Sequence, residues 1–233
     1  MRALARYLAR RPHDPDFAAF KDLPGEGLFL DVGGSIGQSA LSFRIFNRRS
    51  PILSLEPLPS HRGDLEFVHR VISGHRFMIA GAGAESREAT LFVPMVGGYQ
   101  LSAESALDRD DAAAVLERLR SEGADSNRLH LKEVNVRLVR LDELGLDPDF
   151  VKVDVEGAEL GVLEGFTETL ARSQPILMIE RSDSIDQVIE LLSHHGYRPL
   201  VYEHATDSFA PFDDQPTVNV FFAPAGCELP GKP

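Results

Sequence analysis

The chain has 233 residues, 43% of them hydrophobic and 26% charged, with a formal net charge of −12. That length suits one sizeable α/β domain with decorations, and the acidic balance disfavours nucleic acid, whose phosphates require a basic surface. The single cysteine, Cys227, excludes an internal disulfide and a cysteine-built zinc site.

Met1–Arg11 reads as a short basic helix with Leu4, Tyr7 and Leu8 on one side, packing on the domain or on a second copy of the chain. No apolar stretch follows its arginines and no run reaches membrane-span length, so neither a secretory signal nor an integral span is expected, and the location expected is cytoplasmic. Pro12, Pro15, Pro24 and Gly25 punctuate a loop and a short helix around Phe17–Phe20, which makes residues 1–26 a helical extension.

Leu28, Phe29, Leu30 and Val32 have the look of a buried parallel strand. After Asp31 the chain turns through Gly33, Gly34, Ser35 and Gly37 into a helical segment, Ser39–Phe46. Glycines at such a turn let the backbone approach a ligand closely, and the helix start offers free N–H groups. A dinucleotide fingerprint begun at Gly33 would need glycine at Ser35 and Gln38, and has neither. The acid two positions before Gly33 would repel a phosphate and suits a cationic group such as an ammonium. Ile52–Glu56 is the second strand, and Glu56 at its carboxyl end is placed to accept hydrogen bonds from both ribose hydroxyls of a nucleoside.

Phe77–Ala82 reads as a third strand and Ala89–Pro94 as another. Val96–His130 is a polar, irregular insertion of the kind that forms a lid or a substrate-contacting segment. Val134–Leu141 alternates as a half-buried or edge strand, and Phe150–Val155 is strand four. Lys152, Asp154 and Glu156 alternate along it and share a side wherever the extended conformation persists. Glu156 and Glu159 also fall around a helix start, where the backbone dipole favours acids. The helix Ala158–Leu170, strand Pro175–Glu180 and helix Ile185–His195 follow. Tyr197–Tyr202 and Thr217–Phe222 close the sheet, the last strand entering antiparallel.

The pattern Asp-x-Gly-x-small-x-Gly at Asp31–Gly37 resembles the S-adenosylmethionine (SAM) site of Rossmann-like methyltransferases. With LEP at Leu55–Pro57, ATLFV at Ala89–Val93, RLDEL at Arg140–Leu144, KVDVEGAELGVLEG at Lys152–Gly165 and PILMIE at Pro175–Glu180, the chain is similar to the FkbM family. The resemblance implies a doubly wound, mostly parallel seven-stranded sheet with one antiparallel strand, in a single domain over 27–224 with 96–130 inserted and 225–233 as a tail. It implies SAM as methyl donor and a hydroxyl on a sugar, glycan or natural-product small molecule as acceptor. Carried over, Asp31, Gly33 and Gly37 shape the methionine end of the site, Glu56 takes the ribose, and Asp154 and Glu156 lie beside the methyl group. Gly34-Ser35 stands where Ala-Asn is usual, a small change that keeps the loop open and leaves both residues among the expected cofactor contacts. Ala84 stands where the family often has an acid, so that adenine contact is not carried over.

A hydroxyl acceptor sheds its proton as the new bond forms, which makes Asp154 and Glu156 the best candidates for base and substrate holder, with His61 and His204 as further, outside candidates for the base. Asp154 could instead hold the SAM ammonium or pair with Lys152. No metal is expected; the alternatives are a Mg²⁺-assisted transferase using Asp154, Glu156 and Glu180, and a non-catalytic binding or assembly protein of the same fold.

Overall fold

The computed structural model describes residues 2–21, 23 and 26–229. Met1 of the predicted first helix, Pro24 and Gly25 of the predicted loop, and 230–233 of the predicted tail lie outside the described residues. In chain order the elements are α1 (Arg2–Leu8), β1 (Leu28–Val32), α2 (Gln38–Phe46), β2 (Ile52–Leu55), α3 (Arg62–Val71), β3 (His75–Met78), β4 (Gly81–Ala82), β5 (Arg87–Val96), β6 (Tyr99–Gln100), α4 (Arg109–Ser121), β7 (Leu129–Val139), β8 (Pro148–Val153), α5 (Glu159–Glu164), α6 (Thr167–Ser173), β9 (Ile176–Glu180), α7 (Ile185–His194), β10 (Tyr197–Glu203), β11 (Ser208–Pro211) and β12 (Asn219–Pro224). Short 3-10 turns join several of them.

The apolar runs of β1, β2, β8 and β9 pair in parallel because both of their faces are covered by helices or loops. Among the described residues the main sheet has the order β11-β10-β12-β9-β8-β1-β2-β3. This is the doubly wound, Rossmann-like arrangement, with β9 and β8 in the middle of the eight strands and β1 next to β8. Two details correct the expectation. The sheet has eight strands rather than seven, because Ser208–Pro211 folds back on β10 as a hairpin. Both β12 and β11 run against the other strands, so the antiparallel strands number two rather than one.

The predicted strand Phe77–Ala82 is divided. Its first half ends β3, whereas Gly81 and Ala82 leave the main sheet and pair with Leu138 and Val139 of β7. Here β5 and β7 form a long antiparallel ladder from Arg87↔Leu138 to Val96↔Leu129, the core of a second, four-stranded sheet. The insertion is the connection of that hairpin, and α4 rides on it. Asp108 caps α4 by accepting from the backbone N–H groups of Asp110 and Asp111.

Two apolar layers clamp the sheet. On one side Phe20 touches Phe17, Phe29, Phe43, Phe150 and Phe221, and Phe29 of β1 stacks on Phe43 of α2 at 3.9 Å between ring centroids. That stack holds the end of β1 and the body of α2 together, so the intervening turn is fixed at both ends. Ala3 and Tyr7 of α1 pack against this layer. On the other side Leu30, Val32, Val151 and Val153 pack on Val162, Phe166 and Leu170. Each buried phenylalanine contributes about 2–3 kcal/mol by removal from water.

Candidate active site

At the carboxyl ends of β1, β2 and β8 lies a cavity of about 430 Å³. Its floor is the glycine turn. Gly33 and Gly37 have left-handed φ of +89° and +83°, and a Cβ on Gly33 would sit 1.7 Å from the Asp154 carbonyl oxygen. Only glycine therefore lets β1 and β8 converge here. The N–H groups of Gly33 and Gly34 both donate to the Leu55 carbonyl, at 3.0 and 2.8 Å, which ties the turn to β2.

Glu56 lines the cavity and is held from both sides. One carboxylate oxygen accepts from the Ser35 N–H and the other from the Leu58 N–H, each at 2.8 Å. His61 brings Nδ1 within 3.3 Å of that second oxygen, and its Nε2 lies 3.0 Å from Ser102 Oγ. Each carboxylate oxygen retains acceptor capacity for a ligand hydroxyl. His61 thus lies in the cavity wall, whereas His204 pairs with Asp16 at 2.8 Å and is absent from the lining.

Asp31 is fully buried and does not line the cavity. The strand alternation turns its side chain beneath the glycine turn, where it accepts from Ser54 Oγ at 2.7 Å. Its Oδ1 has no partner among the described residues. Burial pushes its pKa up to about 6, against the opposing effects of the Lys152 ammonium and the Ser54 hydroxyl.

Asp154 and Glu156 are brought to the cavity together. The buried Lys152 ammonium bonds Asp154 Oδ2 directly. Burial alone would raise the Asp154 pKa, but Lys152 and a hydrogen bond with Glu180 outweigh it and hold the carboxyl below its ordinary value. Glu180 moves the other way, raised by burial and then by its hydrogen bond to Asp154 and that residue's charge. Glu156 follows β8 in a left-handed turn with φ of +55°, next to Gly157 at +94°. The turn is held by Glu159, which accepts from the Gly157 N–H at 3.1 Å and from Ser182 Oγ at 2.7 Å. Glu159 is itself fully buried and so fixes the turn rather than merely decorating a helix start. Glu156 is exposed at the mouth of the cavity. Partial desolvation there, then the charges of Asp154, Glu104 and Glu159, push it up to about 7, a shift that solvent screening reduces while the cavity is open. Oxygens of Asp154, Glu156 and Glu180 lie within 4.8 Å of one another.

Part of the lining carries no sequence motif. Ser102, Ser105, Leu107 and Asp111 of the insertion form one wall, and His13 of the N-terminal extension forms another.

A doubly wound sheet with a glycine turn after β1, an acid after β2 and paired acids after β8 defines a methyltransferase of the Rossmann-like class. The methyltransferase FkbM domain matches residues 31–199, and the chain belongs to the FkbM methyltransferase family. It is 30% identical to Methyltransferase 1 of Beauveria bassiana over 185 residues, 74% of this chain and 68% of that protein. It is 27% identical over 215 residues to the AMB antimetabolite synthetase AmbE of Pseudomonas aeruginosa, spanning 78% of this chain but 10% of the synthetase. The crystal structure of methyltransferase FkbM from Methylobacillus flagellatus KT superposes with a TM-score of 0.56 at 17% identity, covering 94% of this chain and 52% of that one. The chain therefore spans only a tenth of AmbE and about half of the Methylobacillus protein. Among the described residues no helix is long and apolar enough to cross a membrane.

Proposed function

We propose that the chain transfers the methyl group of SAM to a hydroxyl of a sugar, glycan or natural-product small molecule. The observation that carries this reading is the convergence of the glycine turn, Glu56 and the Asp154–Glu156 pair on one cavity. The donor set suits the cofactor: the glycine turn and the carboxylates of Glu56, Asp154 and Glu156 line the cavity, and they match ribose hydroxyls and a cationic sulfonium or ammonium. Glu56 takes the ribose hydroxyls, and the acids after β8 face the cationic end. When bound, SAM supplies an electrophilic methyl on a sulfonium.

The protein's contribution is to align the acceptor and take its proton. Alignment along the S–CH₃ axis supplies much of the acceleration in such a displacement. Asp154, paired with Lys152 and Glu180, is the holder. Glu156 is the base: its carboxyl is tuned near neutrality, where a general base is most effective. Water screens the surrounding charges while the cavity is open, and an acceptor that covers Glu156 removes that screening.

The test is methyl transfer from isotope-labelled SAM to a panel of hydroxylated glycans and natural-product scaffolds, read by product mass. Labelled product that depends on Glu156 supports the reading; labelling that survives Glu156→Gln unchanged removes Glu156 from it. The grouping of Asp154, Glu156 and Glu180 favours a second reading, in which a divalent cation neutralises the same carboxylates. Activity abolished by a chelator and restored by Mg²⁺ selects it.

A further inference from the structure

His13 lies ahead of the matched family region, and nothing in the family motifs accounts for its place in the cavity wall. Its ring packs on Phe17 with centroids 5.1 Å apart. Its backbone N–H donates to Ser42 Oγ at 2.9 Å, and its Nδ1 lies 2.8 Å from the same oxygen. Ser42 is buried on α2, and Nδ1 is the one acceptor available to its hydroxyl proton among the described residues. The satisfied arrangement has the Ser42 hydroxyl donating to Nδ1, which assigns the ring proton to Nε2. Burial, then the Lys152 charge, holds the imidazole pKa down at about 4, so the ring is neutral at pH 7. Nε2 has no protein partner among the described residues, which leaves a neutral N–H donor on a side chain of the cavity wall.

Charge around the cavity indicates what that donor meets. The lining contains Glu56, Asp108, Asp111, Asp154 and Glu156 but no lysine or arginine. These acids suit the sulfonium and ammonium of the cofactor and repel its carboxylate. Beside His13 the wall includes Gln38 and Ser39, the opening residues of α2, where the N-cap Gly37 offers no side-chain acceptor; the Lys152 ammonium acts on the ring there more strongly than the Asp14 and Asp154 carboxylates. The first-turn amides add favourable potential for an anion.

Resting on the cofactor reading above, we propose that His13 binds the carboxylate of the cofactor's amino-acid arm, donating from Nε2 with Ser42 fixing the ring. The histidine thereby makes the N-terminal extension part of the cofactor site, and sets the preference for a cofactor that carries an intact amino acid.

Two ligands separate this from other roles. S-adenosylhomocysteine (SAH) carries the amino-acid arm; 5′-methylthioadenosine has the same nucleoside and sulfur but lacks the arm. Calorimetric affinities for both are measured on the full chain, on His13→Asn, whose short amide keeps an acceptor near Ser42, and on His13→Gln, whose longer amide reaches the Nε2 position. Loss of one hydrogen bond to a charged group should weaken SAH about tenfold or more in His13→Asn, with methylthioadenosine within about twofold of wild type. His13→Gln should retain SAH within about threefold. Unchanged SAH affinity in His13→Asn overturns the proposal, including the case in which His13 faces the acceptor. Equal weakening of both ligands also overturns it, since the residue would then act on the fold. A wild-type chain that binds neither ligand overturns the cofactor reading itself.

Discussion

Replacing Gly33 by alanine tests the closest approach in the site. The added Cβ would lie 1.7 Å from the Asp154 carbonyl oxygen and 2.8 Å from its carbon, where contacts under 3.0 Å are essentially never seen. The strands must therefore part by more than about 1 Å, since backbone cannot give way as a flexible side chain does. They are locked by the Asp154 N–H to Val32 carbonyl bond and the Gly33 N–H to Leu55 carbonyl bond, both at 3.0 Å. Overpacking costs about 1–3 kcal/mol, and the left-handed φ adds about 1–2 kcal/mol for a residue with a Cβ. The sum, about 2–5 kcal/mol, corresponds to a fall in Tm of roughly 4–20 °C for a chain of this size. SAH affinity should fall with it, because the turn is displaced. Gly161→Ala is the control: nothing lies within 4 Å of its Cβ and it sits in α5, so the variant should be neutral or slightly stabilised. The assay is thermal unfolding with and without SAH. A Gly33→Ala chain melting within about 2 °C of wild type and binding SAH equally would refute the geometry.

Three further outcomes follow from the same site. In single-turnover methyl transfer the wild-type rate should fall about tenfold per pH unit below about 7, because only the Glu156 carboxylate accepts a proton; Glu156→Gln should be slower by ~10²–10⁴-fold and lose that dependence. The Asp31 pKa is raised in the fold, so its contribution to stability is complete below about 4 and lost as pH rises through about 6; denaturant titrations should lose up to about 3 kcal/mol across that window, and Asp31→Asn should flatten the slope. Glu56→Gln keeps the side-chain size but turns one acceptor into a donor, and calorimetry should show SAH weakened by about tenfold with its enthalpy reduced.

The parts of this site legible in the sequence are those whose signal is local. The apolar runs of β1, β2, β8 and β9, the glycines between β1 and α2, and the acids closing β2 and β8 need no distant partner to be read. The remainder depends on pairing. Gly81 and Ala82 continue the apolar run of β3, and only their pairing with Leu138 and Val139 draws them into the second sheet. Likewise β11 is four residues long and acquires its place by folding back on β10. Asp31 is identifiable as the acid of the glycine turn, but its position beneath the turn follows from Ser54 and His75 on neighbouring strands. His13 carries no motif; its meeting with Ser42, 29 residues away, belongs to the packing of the N-terminal extension on α2.

The central claim is that this cavity binds SAM, and it can be measured without knowing the acceptor. Titration of the full chain with SAM, SAH, NAD and NADP, by calorimetry and by thermal unfolding, decides between ligand classes. Saturable one-to-one binding of SAM and SAH with a raised Tm is expected, and none of the nicotinamide nucleotides. Binding of NAD or NADP with no response to SAM or SAH would contradict it.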